Sequence, residues 1–219
     1  MSVNELFCGN PDHFLRHNIV IQKCPDDPPV DLYEHGVLNV KVVEAPGEFS
    51  VANLPGGKVC MMIPAKATRP SLPAYWCPYK QNDIRHATLG NDALYMFTPT
   101  MDGCSLGVGS PSGNGVCRVS HVNMGRSATA VSPDKPTPEA RAQQRKMQKN
   151  YLISEHGHGV QILSPAEYQT WDAGGEIDNA IKTTTWGLHA LGKAWEFYTQ
   201  SYIKSGSKTY LWAGVRRGV

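Results

Sequence analysis

The sequence predicts an α+β fold, a β-sandwich or mixed curved sheets with surrounding helices and long loops. Three observations carry that expectation. Prolines punctuate the first third ("CPDDPPVDLYEHG", "ATRPSLPAYWCPYK") and deny it regular helix, because proline lacks the amide donor and restricts the residue before it. Short apolar runs bounded by Gly or Pro follow one another with few helical segments between them, as in folds built from runs of strands. The 219 residues, 41% apolar and 18% charged, suffice for one full core, so a single domain over residues 1–219 is expected.

In chain order, Val37 opens "VLNVKVVEA", Glu48 opens "EFSVANL" and Lys58 opens "KVCMMIPA", three strand candidates bounded by Gly or Pro. "NDALYMFT" ends a fourth at Thr98. In "GVCRVSHVNM", from Gly115, strand pleating puts His121 on one face with Cys117 and Val119, and Val116, Arg118 and Ser120 on the other. A helix is expected from about Thr137 to Leu152, with Thr137 as N-cap, Pro138 at the first helical position and Glu139 in the first turn. Lys and Arg gather toward its C-terminal end, where the helix dipole favours them. Its thin apolar stripe places it at the surface, its basic side a solvated face or a docking face. Then come "GVQILS", a short helix in "SPAEYQTW" opened by Ser164 and Pro165, and three Thr-rich aromatic strands. These are "AIKTTTWGLHAL", "AWEFYTQSYIK" and "SKTYLWAGV", turning through "LGK" and "SGSK".

Composition excludes several classes. With 21 Lys and Arg against 19 Asp and Glu, the net charge of +2 is too small to attract a phosphate backbone, so no nucleic-acid partner is expected. No apolar run is long enough to span a membrane, and "MSVNELFCGNPDHFLRHN" lacks the basic start and apolar stretch of a cleavable secretory signal. Cys8, Cys24, Cys60, Cys77, Cys104 and Cys117 show no Cys-x-x-Cys step and read mostly as buried thiols of a reducing compartment. The "HGH" at His156 to His158 lacks further ligands at a sensible spacing, so no metal or cofactor is expected; His86 and His189 read as structural.

The informative stretch is "FTPTMDGCSLGVGSPSGNGVCRVSH", from Phe97 to His121. A nucleophilic cysteine needs its thiolate, and a histidine within hydrogen-bond reach supplies it by taking the proton, while a third group fixes the ring. Gly103 allows a close backbone approach before Cys104, whose own amide then serves as an oxyanion donor. The Gly-rich "GVGSPSGNG" can fold the next strand back and bring His121 beside Cys104. Thr98 is available to orient the imidazole through its hydroxyl or its carbonyl. The strand ending at Thr98, the strand after Cys104 and the strand bearing His121 are therefore expected side by side. Tyr75 and Trp76, among Pro-rich loops, are either part of a recognition surface or core.

The pattern "FTPTMDGC" followed by "VSHV" resembles the site of the cysteine-dependent glutamine deamidase superfamily, which includes the cytotoxic necrotizing factor catalytic domain, the Burkholderia lethal factor and the chemoreceptor glutamine deamidases. Phe97, Thr98, Met101, Asp102, Gly103 and Cys104 stand where the lethal factor carries Phe-Thr-x-x-Leu-Ser-Gly-Cys. The resemblance implies a Cys104, His121 and Thr98 triad with Gly103 and Asp102 supporting the nucleophile turn. Asp102 replaces a serine, and the loop to His121 is longer. It further implies a monomeric toxin or effector, made in the bacterial cytoplasm and exported without a cleavable signal. In a host cytosol it would convert a glutamine of a protein such as a GTPase or translation factor to glutamate, with no cofactor. The same Cys-His pair also serves transglutaminases and cysteine proteases, and a non-catalytic β-rich binding module remains the other class.

Overall fold

The computed structural model describes residues 1–23, 36–47, 51–66, 70–112, 115–124, 137–169, 181–190, 192–205 and 208–218. Cys24 and the Glu48 start of the second expected strand lie outside them.

Two short helices come first, α1 (Val3–Gly9) and α2 (Pro11–His17). Ser2 and Glu5 close a capping box on α1; Asn10 caps α2 through the His13 amide, with Pro11 at the first helical position. The sequence reading passed over both because each is only seven residues long. Twelve strands are described: β1 (Ile19–Gln22), β2 (Val37–Glu44), β3 (Val59–Pro64), β4 (Leu72–Trp76), β5 (Ile84–Leu89), β6 (Tyr95–Phe97), β7 (Ser105–Val108), β8 (Cys117–Val122), β9 (Gln161–Leu163), β10 (Ile181–His189), β11 (Trp195–Ser205) and β12 (Lys208–Arg217). Helix α3 (Pro138–His156), capped by Thr137, and α4 (Pro165–Tyr168), opened by Ser164, flank β9.

Eight strands form one sheet in the order β1-β3-β2-β4-β6-β10-β11-β12; β5-β8-β7-β9 form a second, antiparallel throughout. Helices α1 and α2 cover one face of the large sheet, where Phe7, Phe14 and Leu15 pack on Val40, Phe97 and Trp186. Its other face meets the small sheet, with Tyr75, Met96 and Phe197 against Leu89, Leu106 and Val119. Helix α3 covers the outer face of the small sheet: Leu152, fully buried, lies directly over Gly107, where a Cβ would collide with it. The layers therefore run helix, sheet, sheet, helix, an α+β fold of mixed sheets.

Three expectations are corrected. "EFSVANL" forms no strand in its described part: Val51 makes a single bridge to Thr209 and a turn follows. "LPAYW" is strand β4, so Tyr75 and Trp76 are core, 1% and 5% exposed. Pro73 fits there because β6 pairs only with Tyr75 and Trp76, leaving one side of Pro73 without a ladder to serve. The third is β6. It does not neighbour β7 and β8 but lies in the large sheet between β4 and β10, so the three strands around the Cys104 stretch span both sheets.

Candidate active site

The antiparallel register of β7 and β8 pairs Ser105 with Val122 and Leu106 with His121. One step back along β7 sets Cys104 opposite Asn123, and alternation then puts Cys104 and His121 diagonally across the same inward face. The Asn123 side chain is the contact: its Nδ2 donates to Cys104 Sγ at 3.2 Å. Its Oδ1 accepts from the Asn82 amide at 3.1 Å, which fixes which end of the carboxamide faces the thiol. Asn82 itself sits at φ 59°, an uncommon conformation for a residue with a side chain.

Thr98 follows β6 out of the large sheet and reaches His121 across the sandwich, its Oγ1 2.6 Å from Nδ1. The threonine hydroxyl donates its single proton to the Cys77 carbonyl at 2.9 Å. It must then accept at His121, so Nδ1 carries the hydrogen and Nε2 presents a bare lone pair. That Nε2 is buried without a hydrogen-bond partner among the described residues, so thiol and imidazole are not hydrogen-bonded to each other in this conformation. The Tyr79 ring lies 5.3 Å from the imidazole, tilted by 60°. Burial dominates the electrostatics. It pushes the Cys104 thiol up to about 12, against the opposing Asn123 hydrogen bond, and holds His121 down at about 3. The pair is neutral at rest, not the thiolate-imidazolium pair that nucleophilic cysteines ordinarily use.

The turn before the thiol is held from two further elements. Gly103 has φ +132°, a region essentially closed to residues with a side chain. The Tyr168 hydroxyl, from α4, accepts from the Gly103 amide at 3.0 Å and donates to the Cys104 carbonyl at 2.7 Å. Gln148, from α3 and fully buried, donates to the Gly103 carbonyl at 2.9 Å and accepts from the Ser105 hydroxyl at 2.7 Å. Asp102 turns outward instead, its carboxylate 4.0 Å from Lys182 at the surface; its charge raises the Cys104 thiol and its backbone hydrogen bond opposes that.

Cys104, His121 and Thr98 thus lie together, Gly103 shapes the turn and Asp102 stands outside it. Asn123, Tyr168 and Gln148 were not singled out from the sequence. Asn123 alone had a signal, two residues beyond His121 on the same strand face; the other two come from separate elements far along the chain. Of the remaining histidines, His189 stacks on Trp195 at 5.0 Å. His86 and His156 share the Ser120 hydroxyl, at 2.7 Å each, between the small sheet and α3. Among the described residues no three His, Cys, Asp or Glu side chains are grouped to hold a metal ion, and no helix is long and apolar enough to cross a membrane. Comparison with protein-family models and with curated proteins finds no match to this chain.

Proposed function

We propose that this chain is a cysteine-dependent protein glutamine deamidase, with Cys104 as nucleophile, His121 as general acid and base, and Thr98 holding the imidazole. One observation carries the reading: a hydroxyl-oriented imidazole keeps an Nε2 lone pair, unpartnered among the described residues, on the same sheet face as a thiol placed by a left-handed glycine. The Sγ proton passes to Nε2 as sulfur bonds to the side-chain amide carbon; ammonia leaves with that proton. Water then attacks the thioester, its proton passing through Nε2 back to sulfur as glutamate is released. Because the pair starts neutral and buried, the substrate must displace part of its cover, and Tyr79 beside the imidazole is the side chain to move.

The deamidase assignment, rather than transglutamination or proteolysis, rests on the resemblance around Phe97 to Cys104, as do the effector role in a host cytosol and a GTPase or translation factor as target. A second reading, a non-catalytic binding module with Cys104 as a packed thiol, is favoured by its 1% exposure. The experiment that separates them is incubation of wild type and Cys104→Ser with eukaryotic cell lysate, followed by peptide mass spectrometry. Deamidation predicts glutamines gaining about one dalton, without new cleavage ends or cross-links, in the wild-type sample alone. Identical glutamine profiles for the two proteins would contradict it.

A further inference from the structure

The thiol of Cys104 meets a difficulty that its histidine does not solve. Sulfur and imidazole both lie buried between the sheets, each 1% exposed, and burial opposes any charge on either. A thiolate forming there needs a hydrogen-bond donor already aimed at sulfur, because no solvent dipole can reorganise around it. Asn123 is such a donor. Its Nδ2 stands 3.2 Å from Sγ, and it cannot turn its oxygen to the sulfur without losing the Asn82 amide at 3.1 Å from Oδ1. Its backbone is pinned too, the amide donating to the Asp83 carbonyl at 3.0 Å. The Asn82 turn that supplies the clamp sits at positive φ, so the chain accepts local strain to hold this carboxamide in one orientation.

We propose that Asn123 is a further catalytic residue, a preorganised donor to Cys104 sulfur that stabilises the developing thiolate while His121 Nε2 receives the proton. This deepens the deamidase reading and rests on Cys104 being the nucleophile. No atom is transferred by Asn123: the hydrogen bond to sulfur strengthens as negative charge grows and relaxes when the carbon–sulfur bond forms. The proposal also gives the Cys77 to Asp83 loop a task at each end, since it carries both the carbonyl that accepts from Thr98 and the amide that clamps Asn123.

The test reads the thiol itself, apart from any substrate. Cys104 labelling by 4,4′-dithiodipyridine at pH 7.5 is timed in wild type, Asn123→Asp and Asn123→Ala, with Cys104→Ser subtracting the other cysteines. Asn123→Asp keeps an acceptor for the Asn82 amide but replaces the donor with a negative charge beside the sulfur, which by itself slows labelling; Asn123→Ala removes the donor without adding charge and opens space beside the sulfur, so it isolates the hydrogen bond. Both are expected to label Cys104 at least about tenfold more slowly, the loss of one charge-assisted hydrogen bond to a thiolate. A merely structural role gives the opposite sign, because a loosened core exposes the thiol and speeds labelling. Equal or faster labelling in Asn123→Ala, or in a folded Asn123→Asp, overturns the proposal. Slower labelling supports it even if lysate shows no deamidated glutamine, so the two readings fail separately.

Discussion

At the scale of residues, Thr98 carries a sharp expectation. Among the described residues its hydroxyl is the partner of His121 Nδ1, so Thr98→Val, which keeps the shape and removes the oxygen, leaves a buried ring N–H unpaired and frees the wrong tautomer. Deamidation is expected to fall roughly 10²-fold, while Thr98→Ser restores most of it. Steady-state rates for the two variants check this; equal losses in both would assign Thr98 to packing instead. The residues legible in the sequence were those that one short stretch brings together, Thr98, Gly103 and Cys104, with His121 just beyond a Gly-rich turn. Asn123 offered only its place two residues beyond His121, and Gln148 and Tyr168 offered nothing, because polar side chains announce a role only through a partner and these two arrive from distant elements. The hydroxyl of Thr98, rather than its carbonyl, also became visible only once the Cys77 carbonyl was seen to take its proton.

Among the elements, α3 links the Cys104 turn to the back of the small sheet. It lies close because β7 offers Gly107, which leaves room for Leu152. Gly107→Ala is expected to destabilise the protein by about 1–3 kcal/mol through overpacking, and shortening Leu152 to Val in the same chain to recover part of it. Chemical denaturation of the single and double variants measures both. An additive double variant would show that the two side chains do not meet. The helix was readable from Thr137, Pro138 and Glu139, but its buried Gln148 and Leu152 were not, since a stripe this thin resembles a solvated face until the sheet beneath it is known. The C-terminal strands β10 to β12 and the hairpin of β7 and β8 were likewise readable from alternation and Gly-rich turns. The placement of β6 was not: its three residues fit either sheet, and the choice is made by long-range pairing with β4 and β10.

For the whole molecule, the buried titratable groups set a pH window of stability. His121 is held at about 3 by burial, and His86 and His156 are also lowered, chiefly by burial and then by Arg118. Glu155 partly offsets this at both outer histidines, as Asp83 does at His86, while Arg85 adds to the lowering there. An unfolded histidine takes up its proton near 6.5, so between there and about 3 the unfolded chain binds more protons and stability is lost as pH falls. The thiols act on the other side. Cys77 and Cys104 are raised to about 12 and Cys117 to about 11, so the unfolded chain ionises first, near 9.0, and stability falls as pH rises beyond that. Melting temperature is therefore expected to be flat between about pH 6.5 and 9 and to drop on both sides; a continued rise below pH 6 would contradict the neutral burial of these histidines. The most direct measurement of the account is the deamidation rate of folded His121→Ala, confirmed by circular dichroism, against wild type on the same lysate glutamines. Loss of the base and acid together predicts a fall of several orders of magnitude, roughly 10²–10⁴-fold from proton transfer alone, whereas near wild-type deamidation would mean that another group serves Cys104 and that this site is not the one described.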